Sequence, residues 1–110
     1  VTGPSWDAVA LAFEALVPMN VLGLEDGRQR YGFFTNDAGG IEDDLMFARR
    51  GDDLFVVVNA ACKEADIARM KAALEPELTV TPITDRALIA VQGPRLIRRL
   101  TRCGSWILRR

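Results

Sequence analysis

The chain has 110 residues, 49% of them hydrophobic and 26% charged, values typical of one soluble domain that can bury its own core. Fourteen basic and fifteen acidic side chains leave a net charge of −1, so no overall field favours nucleic acid or an anionic membrane. Histidine is absent, which excludes the usual general base, the Ser-His and Cys-His nucleophile pairs and the commonest metal ligand. Acid–base chemistry would therefore rest on carboxylates, Tyr or Lys.

Weaker signals indicate the cellular compartment of the protein and whether this sequence is a piece of a longer one. Cys62 and Cys103 lie far apart outside any C-x-x-C pattern, which is typical of a reducing compartment such as the cytosol or an organelle matrix. No apolar run approaches the ~18 residues of a membrane span, and no signal-peptide pattern opens the chain. Because the first residue is Val1, we expect that the chain begins inside a longer protein.

Two helices are predicted in the first three quarters of the chain. The first follows Gly3-Pro4 and stops before Pro18, with an apolar stripe at helical spacing. The stripe consists of Trp6, Val9, Ala10, Phe13, Leu16 and Val17. The second spans 63–74 and ends at Glu75-Pro76, with its charged residues predicted outward. Its inward residues are Ile67, Met70 and Leu74.

Strands are predicted between and after these helices, at 30–35, 41–49, 54–58, 78–83 (an edge strand) and 87–91. A further helix is predicted after Pro94, and 95–110 reads as a basic helix or tail of uncertain register. This order favours an α+β fold, in which an antiparallel sheet carries its helices on one face. A ferredoxin-like split βαβ arrangement is the expected topology.

The most informative polar feature is the segment from Asn36 to Asp44. Its polar start with two glycines predicts a tight hairpin, since Gly and Asn tolerate positive φ. Three acids follow, and period-2 alternation places Asp43 on one face and Glu42 with Asp44 on the other. That separation argues against a paired-carboxylate or two-metal site. A solvated acidic corner remains the alternative to a functional carboxylate.

Tyr31 and Asn59 are further candidates with ordinary alternatives. Tyr31 lies on the strand before the hairpin, where it could approach the acids or simply be half-buried. Asn59 ends the LFVVV strand, where it could cap the next helix or a turn, or present its amide to a planar heterocycle. The arginine-rich end, 95–110, has little aromatic interleaving and is more typical of a solvated helix than of a nucleic-acid interface.

Three stretches resemble the T-protein of the glycine cleavage system, an aminomethyltransferase family. They are RQRYGFFTNDAGGIEDDLMF, LFVVVNAACKEADI and DRALIAVQGP. The resemblance covers most of 1–94, which it implies is a folate-binding internal domain of a longer protein. It implies transfer of a one-carbon unit from the aminomethyl-lipoyl arm of the H-protein to tetrahydrofolate, with release of ammonia. The reaction that the resemblance implies uses no metal.

The same resemblance implies roles for individual residues. Asp44 matches the family's catalytic, folate-contacting carboxylate, while Tyr31, Val57 and Asn59 match folate-binding positions. Ala48 departs from several members, which carry an aromatic residue there. Glu42 and Asp43 are expected to be structural. A bacterial cytoplasmic or mitochondrial matrix location would follow.

Two alternatives remain open. One is a non-catalytic ferredoxin-like module that binds a partner through its sheet face or its basic C-terminal helix. The other is the folate domain of a related dimethylglycine- or sarcosine-oxidising or demethylating enzyme. The isolated fragment is expected to be inactive, and exposed interface would favour its homodimerisation.

Overall fold

The computed structural model describes residues 1–86 together with Leu88 and Gly93. Two helices and three strands follow one another as α1 (Trp6–Glu14), β1 (Gln29–Thr35), β2 (Ile41–Arg50), β3 (Asp53–Val58) and α2 (Lys63–Leu74). The strands form an antiparallel sheet in the order β1-β2-β3. Three of the five predicted strands, those at 30–35, 41–49 and 54–58, are thereby confirmed to within a residue at their ends, and so are the bounds of the second helix.

Helix α1 is shorter than its apolar stripe predicts. It starts at a Ser5 cap, whose side chain accepts a hydrogen bond from the Ala8 N–H, and it ends at Glu14. The Glu14 carboxylate accepts hydrogen bonds from the backbone N–H groups of Val21 and Leu22, at 2.7 and 2.8 Å. Val17 is buried in the following turn without being helical, so the stripe overestimated the helix length.

Both helices pack on one face of the sheet. The Phe13 ring of α1 meets Phe34 and Phe47 edge-on, with centroids 6.4 and 5.6 Å apart. Met70 and Leu74 of α2 belong to the same buried cluster. The predicted α+β class, with an antiparallel sheet and helices on one face, is therefore confirmed.

The predicted edge strand at 78–83 is wrong. Within it only Thr79 makes a bridge, to Thr2, with reciprocal backbone hydrogen bonds of 2.9 and 3.0 Å. The alternation that suggested a strand reflects Leu78 and Val80 turning into the core, because burial can alternate along an extended segment that has no strand beside it.

The connections between the described strands are hairpins, and no parallel βαβ unit occurs among residues 1–86. The predicted strand at 87–91 and the helix after Pro94 lie outside the described residues, except for Leu88 and Gly93. The ferredoxin-like split βαβ arrangement therefore stays a prediction. Neither described helix is long and apolar enough to cross a bilayer.

Candidate functional site

The hairpin between β1 and β2 forms as predicted from its Asn and Gly residues. The Asn36 side-chain oxygen accepts hydrogen bonds from the N–H groups of Ala38 and Gly40, at 3.1 and 2.9 Å. Gly39 has a φ of 78°, a conformation that disfavours other residues. The loop therefore fixes the point at which β2 begins and, with it, the direction of the acids that follow.

Asp43 and Asp44 lie on opposite faces of β2, as the alternation predicts. Asp43 pairs with the buried Phe34 on the helix-covered face, whereas Asp44 pairs with Phe33 on the other face. We call that second face, which neither α1 nor α2 covers, the outer face. Despite this opposition, both carboxylates accept hydrogen bonds from one shared atom, Nδ2 of Asn59.

Glu42 does not share the outer face with Asp44. The register shifts at the hairpin end, where Thr35 pairs with Ile41 and Phe34 with Asp43, so Glu42 occupies a bulge. Its carboxylate pairs with Arg69 of α2, on the helix side. The simple alternation was therefore wrong for this residue, because a bulge inserts one position into the period.

The outer face brings the sequence-predicted site residues together. Tyr31, Met46 and Val57 are cross-strand neighbours and form one row across the three strands. Asp44 lies in the next row along β2, two residues before Met46. The Tyr31 side chain is 71% exposed and stands diagonally from Asp44, at a separation that favours contact with one shared ligand more than direct pairing.

Asn59 connects the two faces at the end of β3. Its side-chain Nδ2 donates to Asp44 Oδ1 at 2.9 Å, to the Asp44 backbone oxygen at 3.1 Å and to Asp43 Oδ1 at 3.0 Å. It does not cap α2, whose N-cap is Cys62; instead its backbone oxygen accepts from the Cys62 N–H at 3.1 Å. Asn59 therefore acts as a clamp on both aspartates.

One part of the cluster was missed from the sequence, namely Asp66 in the first turn of α2. This residue is only 4% exposed, although the charged residues of this helix were predicted to face outward. A side-chain hydrogen bond joins it to Asp43, and burial followed by this contact raises the pKa of Asp66 to about 6. The signal was present in the spacing, because residue 66 precedes the inward-facing Met70 by four positions.

The other members of the cluster respond to the same charges. The Asn59 amide, acting most strongly, together with hydrogen bonds from Asp66 and Cys62, lowers the pKa of Asp43. The negative field of Asp43, reinforced by burial and by Asp66, raises the pKa of the half-buried Cys62 thiol. A protonated thiol is a poor nucleophile, so Cys62 is not suited to covalent catalysis.

Among residues 1–86 no group of three or more acidic or cysteine side chains is arranged to hold a metal ion. What the site presents is an exposed carboxylate, Asp44, with one oxygen held by an amide. A carboxylate has about four lone-pair sites, so Asp44 retains the capacity to accept hydrogen bonds from a ligand on the outer face. An apolar and aromatic row lies directly beside it.

Comparison with known proteins identifies the family. The sequence model described as the GCVT N-terminal domain matches residues 1–105. The chain belongs to this aminomethyltransferase family. The match continues past residue 94, and the predicted boundary between a domain at 1–94 and a tail at 95–110 stays a prediction.

Relatives within the family are themselves named aminomethyltransferases. The chain is 40% identical over 98 residues to that of Synechococcus sp. (strain RCC307), covering 84% of this chain and 27% of that protein. It is 38% identical over 90 residues to the mitochondrial enzyme of Dictyostelium discoideum, covering 74% of this chain and 22% of that protein. The chain thus spans about a quarter of these relatives.

A solved structure extends the likeness to three dimensions. The crystal structure of glycine cleavage system aminomethyltransferase T from Bartonella henselae superposes with a TM-score of 0.62 at 27% identity. The superposition covers 70% of this chain and 21% of that one. The α+β fold of this chain is therefore consistent with that of this aminomethyltransferase.

Proposed function

We propose that this chain forms the folate-facing sheet of a tetrahydrofolate-dependent aminomethyltransferase of the glycine cleavage system. In this proposal the enzyme takes an aminomethyl group from the lipoyl arm of the H-protein, passes the one-carbon unit to tetrahydrofolate and releases ammonia. The observation that carries the proposal is the outer face, where Asp44 is held by Asn59 beside the row of Tyr31, Met46 and Val57. Relatives named aminomethyltransferase support the reaction class.

The outer face suits the chemistry of a reduced folate. Such a molecule combines a flat, partly apolar ring system with N–H donors, and it needs apolar contact next to a hydrogen-bond acceptor. Tyr31 offers an exposed aromatic ring, and Val57 lies in the same row. Asp44 offers the acceptor on β2, which pairs with β1 at Asp44 and with β3 from Leu45 onward, so the sheet sets its position.

Asp44 has the role of the catalytic carboxylate. Tetrahydrofolate supplies the nitrogen that accepts the one-carbon unit. An ionised Asp44 would accept a hydrogen bond from that region and stabilise positive charge developing on nitrogen, an interaction that strengthens as the charge grows. Asn59 directs the carboxylate by holding Oδ1, which leaves Oδ2 for the ligand. Histidine is not needed for this role.

The partners and location of the whole protein are part of the same proposal. A lipoylated H-protein would deliver the aminomethyl group, and no nucleic acid or membrane partner is required. The named relatives include the mitochondrial enzyme of Dictyostelium discoideum and the enzyme of Synechococcus sp. (strain RCC307), which supports a mitochondrial matrix or bacterial cytoplasmic setting.

The proposal is tested in a chimera that supplies the rest of the enzyme. The chain replaces the matching 98 residues of the Synechococcus aminomethyltransferase, and tetrahydrofolate binding is measured by calorimetric titration. We expect Asp44→Asn to weaken binding about 10- to 100-fold, since a charged hydrogen bond contributes about 1.5–3 kcal/mol. One-carbon transfer should fall at least as much.

The matched control is Asp52→Asn, which makes the same chemical change in the exposed turn between β2 and β3. Its binding should equal that of the unsubstituted chimera. A folded chimera that does not bind tetrahydrofolate would overturn the folate proposal, and equal binding by the Asp44 variant would overturn the role of Asp44. The isolated chain should bind weakly or not at all, because it spans about a quarter of the relatives; micromolar binding would contradict this.

A further inference from the structure

Two carboxyl groups meet beneath the outer face with too few hydrogen-bond donors. Asp66 Oδ2 and Asp43 Oδ2 are both buried and have no hydrogen-bond partner among the described residues. A side-chain contact joins the two carboxyl groups. Among the described residues, Asp66 is also the one polar or charged residue that is buried. A buried carboxylate oxygen without a donor is costly, so the arrangement requires an explanation.

A single proton explains both orphaned oxygens. Two ionised carboxylates in contact repel each other strongly away from water, whereas a carboxylic acid beside a carboxylate forms a short, charge-assisted hydrogen bond. Asp66 is the more buried of the two and is the natural proton carrier. Asp43 keeps its charge because the Asn59 amide donates to it at 3.0 Å.

We propose that Asp43 and Asp66 share one proton, and that this pair positions Asn59 so that its amide orients Asp44 on the outer face. The contacts run continuously from Asp66 to Asp43, from Asp43 to the Asn59 amide, and from that amide to Asp44 Oδ1 at 2.9 Å. Asp43 and Asp66 are positioning residues, which act on the ligand-facing carboxylate through Asn59 and touch no substrate themselves.

Among the described residues, no Lys or Arg side chain forms an ion pair with Asp43 or Asp66 that could take the place of the proton. Asp44 is the next residue to Asp43 on β2, and the Cys62 thiol contacts Asp43 from the start of α2. The nearby Arg69 of α2 is engaged with Glu42 and with the Thr35 backbone oxygen. Apart from this arginine, which is already paired, the described groups around the pair are acidic or neutral, and this favours retention of the proton.

Proton sharing is testable on this chain without any ligand. Carbon-13 carboxyl NMR should show Asp66 titrating near pH 6 and Asp43 titrating below its ordinary range. The side-chain amide signals of Asn59 should shift as Asp66 titrates. The reason is that Asp43, which accepts a hydrogen bond from Asn59, loses the hydrogen bond from the Asp66 carboxyl group when Asp66 ionises. Ordinary titration of both aspartates, or Asn59 signals unaffected by the Asp66 titration, would overturn the proposal.

Substitutions separate positioning from simple packing. Asp66→Asn keeps a donor to Asp43 and should hold the Asn59 amide in its original environment while abolishing its shift near pH 6. Asp66→Ala removes the donor and should displace the Asn59 signals at every pH. Glu64→Gln, an exposed acid in the same turn, is the matched control and should change neither. If Asp66→Ala does not fold, the titrations of the unsubstituted chain and of Asp66→Asn still decide.

The consequence for folate rests on the proposed function and is tested separately. In the Synechococcus chimera, Asp66→Asn should keep the affinity for tetrahydrofolate to within about threefold. Asp66→Ala should lower this affinity about tenfold, because the hydrogen bond to Asp43 that helps to position Asn59 is lost. Equal affinity in both variants would overturn the link between the pair and the ligand. Failure of the unsubstituted chimera to bind would instead count against the proposed function and leave the NMR result standing.

Discussion

At the scale of single residues, three aspartates that look alike in sequence have three different environments. Asp44 is exposed on the outer face and clamped by Asn59. Asp43 points to the opposite face and contacts Asp66, which is buried. The environment of each carboxyl group is therefore set by the face that it occupies and by its neighbours, and the pKa values of Asp43 and Asp66 shift in opposite directions as a result.

Stability should depend on pH through Asp66. Its pKa in the folded chain is about 6, above the ordinary 3.8, so its contribution is fully present below 3.8 and is lost as pH rises through about 6. Asp43 has a lowered pKa, so its contribution is present above 3.8 and is lost as pH falls further. We expect urea unfolding to show a lower midpoint at neutral pH than at mildly acidic pH.

The same measurement on Asp66→Asn identifies the responsible group. An amide cannot ionise, so this variant should show a flatter dependence of the midpoint on pH through about 6. Glu64→Gln, next to it on the exposed side of α2, should keep the full dependence. A fall in stability of the same size in Asp66→Asn would assign the effect to a different residue.

At the scale of elements, the β1–β2 hairpin sets the geometry of the site. Asn36 closes the loop through its own side chain and backbone, and the bulge at Glu42 lets this acid reach Arg69 of α2. From Asp43 onward the strand is regular, and so Asp43 and Asp44 diverge to opposite faces. The loop and the bulge together decide which acid faces which way.

Removing the Asn36 side chain should weaken the hairpin. Asn36→Ala deletes the acceptor for the N–H groups of Ala38 and Gly40, and two exposed hydrogen bonds contribute about 1–2 kcal/mol in total. Urea unfolding followed by circular dichroism gives the change in free energy of unfolding. The neighbouring Asp37→Ala, for which no such bonds are seen, should cost less than about 0.5 kcal/mol. Equal losses in the two variants would refute the structural role of Asn36.

At the scale of the whole molecule, the two faces of the sheet are unequal. The inner face is sealed by α1 and α2, with Phe13, Phe34 and Phe47 at the centre of the packing. The outer face leaves Tyr31 71% and Phe55 36% exposed, and no described helix covers it. An exposed apolar sheet face is typical of a surface that contacts something else, which agrees with a chain spanning about a quarter of its relatives.

In isolation we expect this face to drive homodimerisation of the chain. Phe55→Ser should weaken self-association by removing apolar area at the centre of β3. The matched control is Leu11→Ser, which removes a 55% exposed apolar side chain from α1, away from the sheet face. Light scattering coupled to size exclusion gives the mass at several concentrations. A monomer at every concentration would contradict the expectation.

The local patterns of the sequence were sufficient for most of the elements. Periodicity and turn residues predicted the second helix, the three strands and the hairpin, because each depends on contacts between residues close in the chain. Alternation also separated Asp43 from Asp44 correctly. It was wrong for Glu42, where a bulge interrupts the period, and for the 78–83 segment, where only Thr79 finds a partner.

What the sequence by itself determined was the family resemblance, the α+β class and the identity of the exposed candidate, Asp44. The tertiary structure alone decided that Asn59 clamps both aspartates and that Asp66 lies buried against Asp43. These contacts join residues 15 to 23 positions apart across three elements. Local propensity carries no information about which distant side chains meet, since the register of the strands and the docking of α2 on the sheet set those distances.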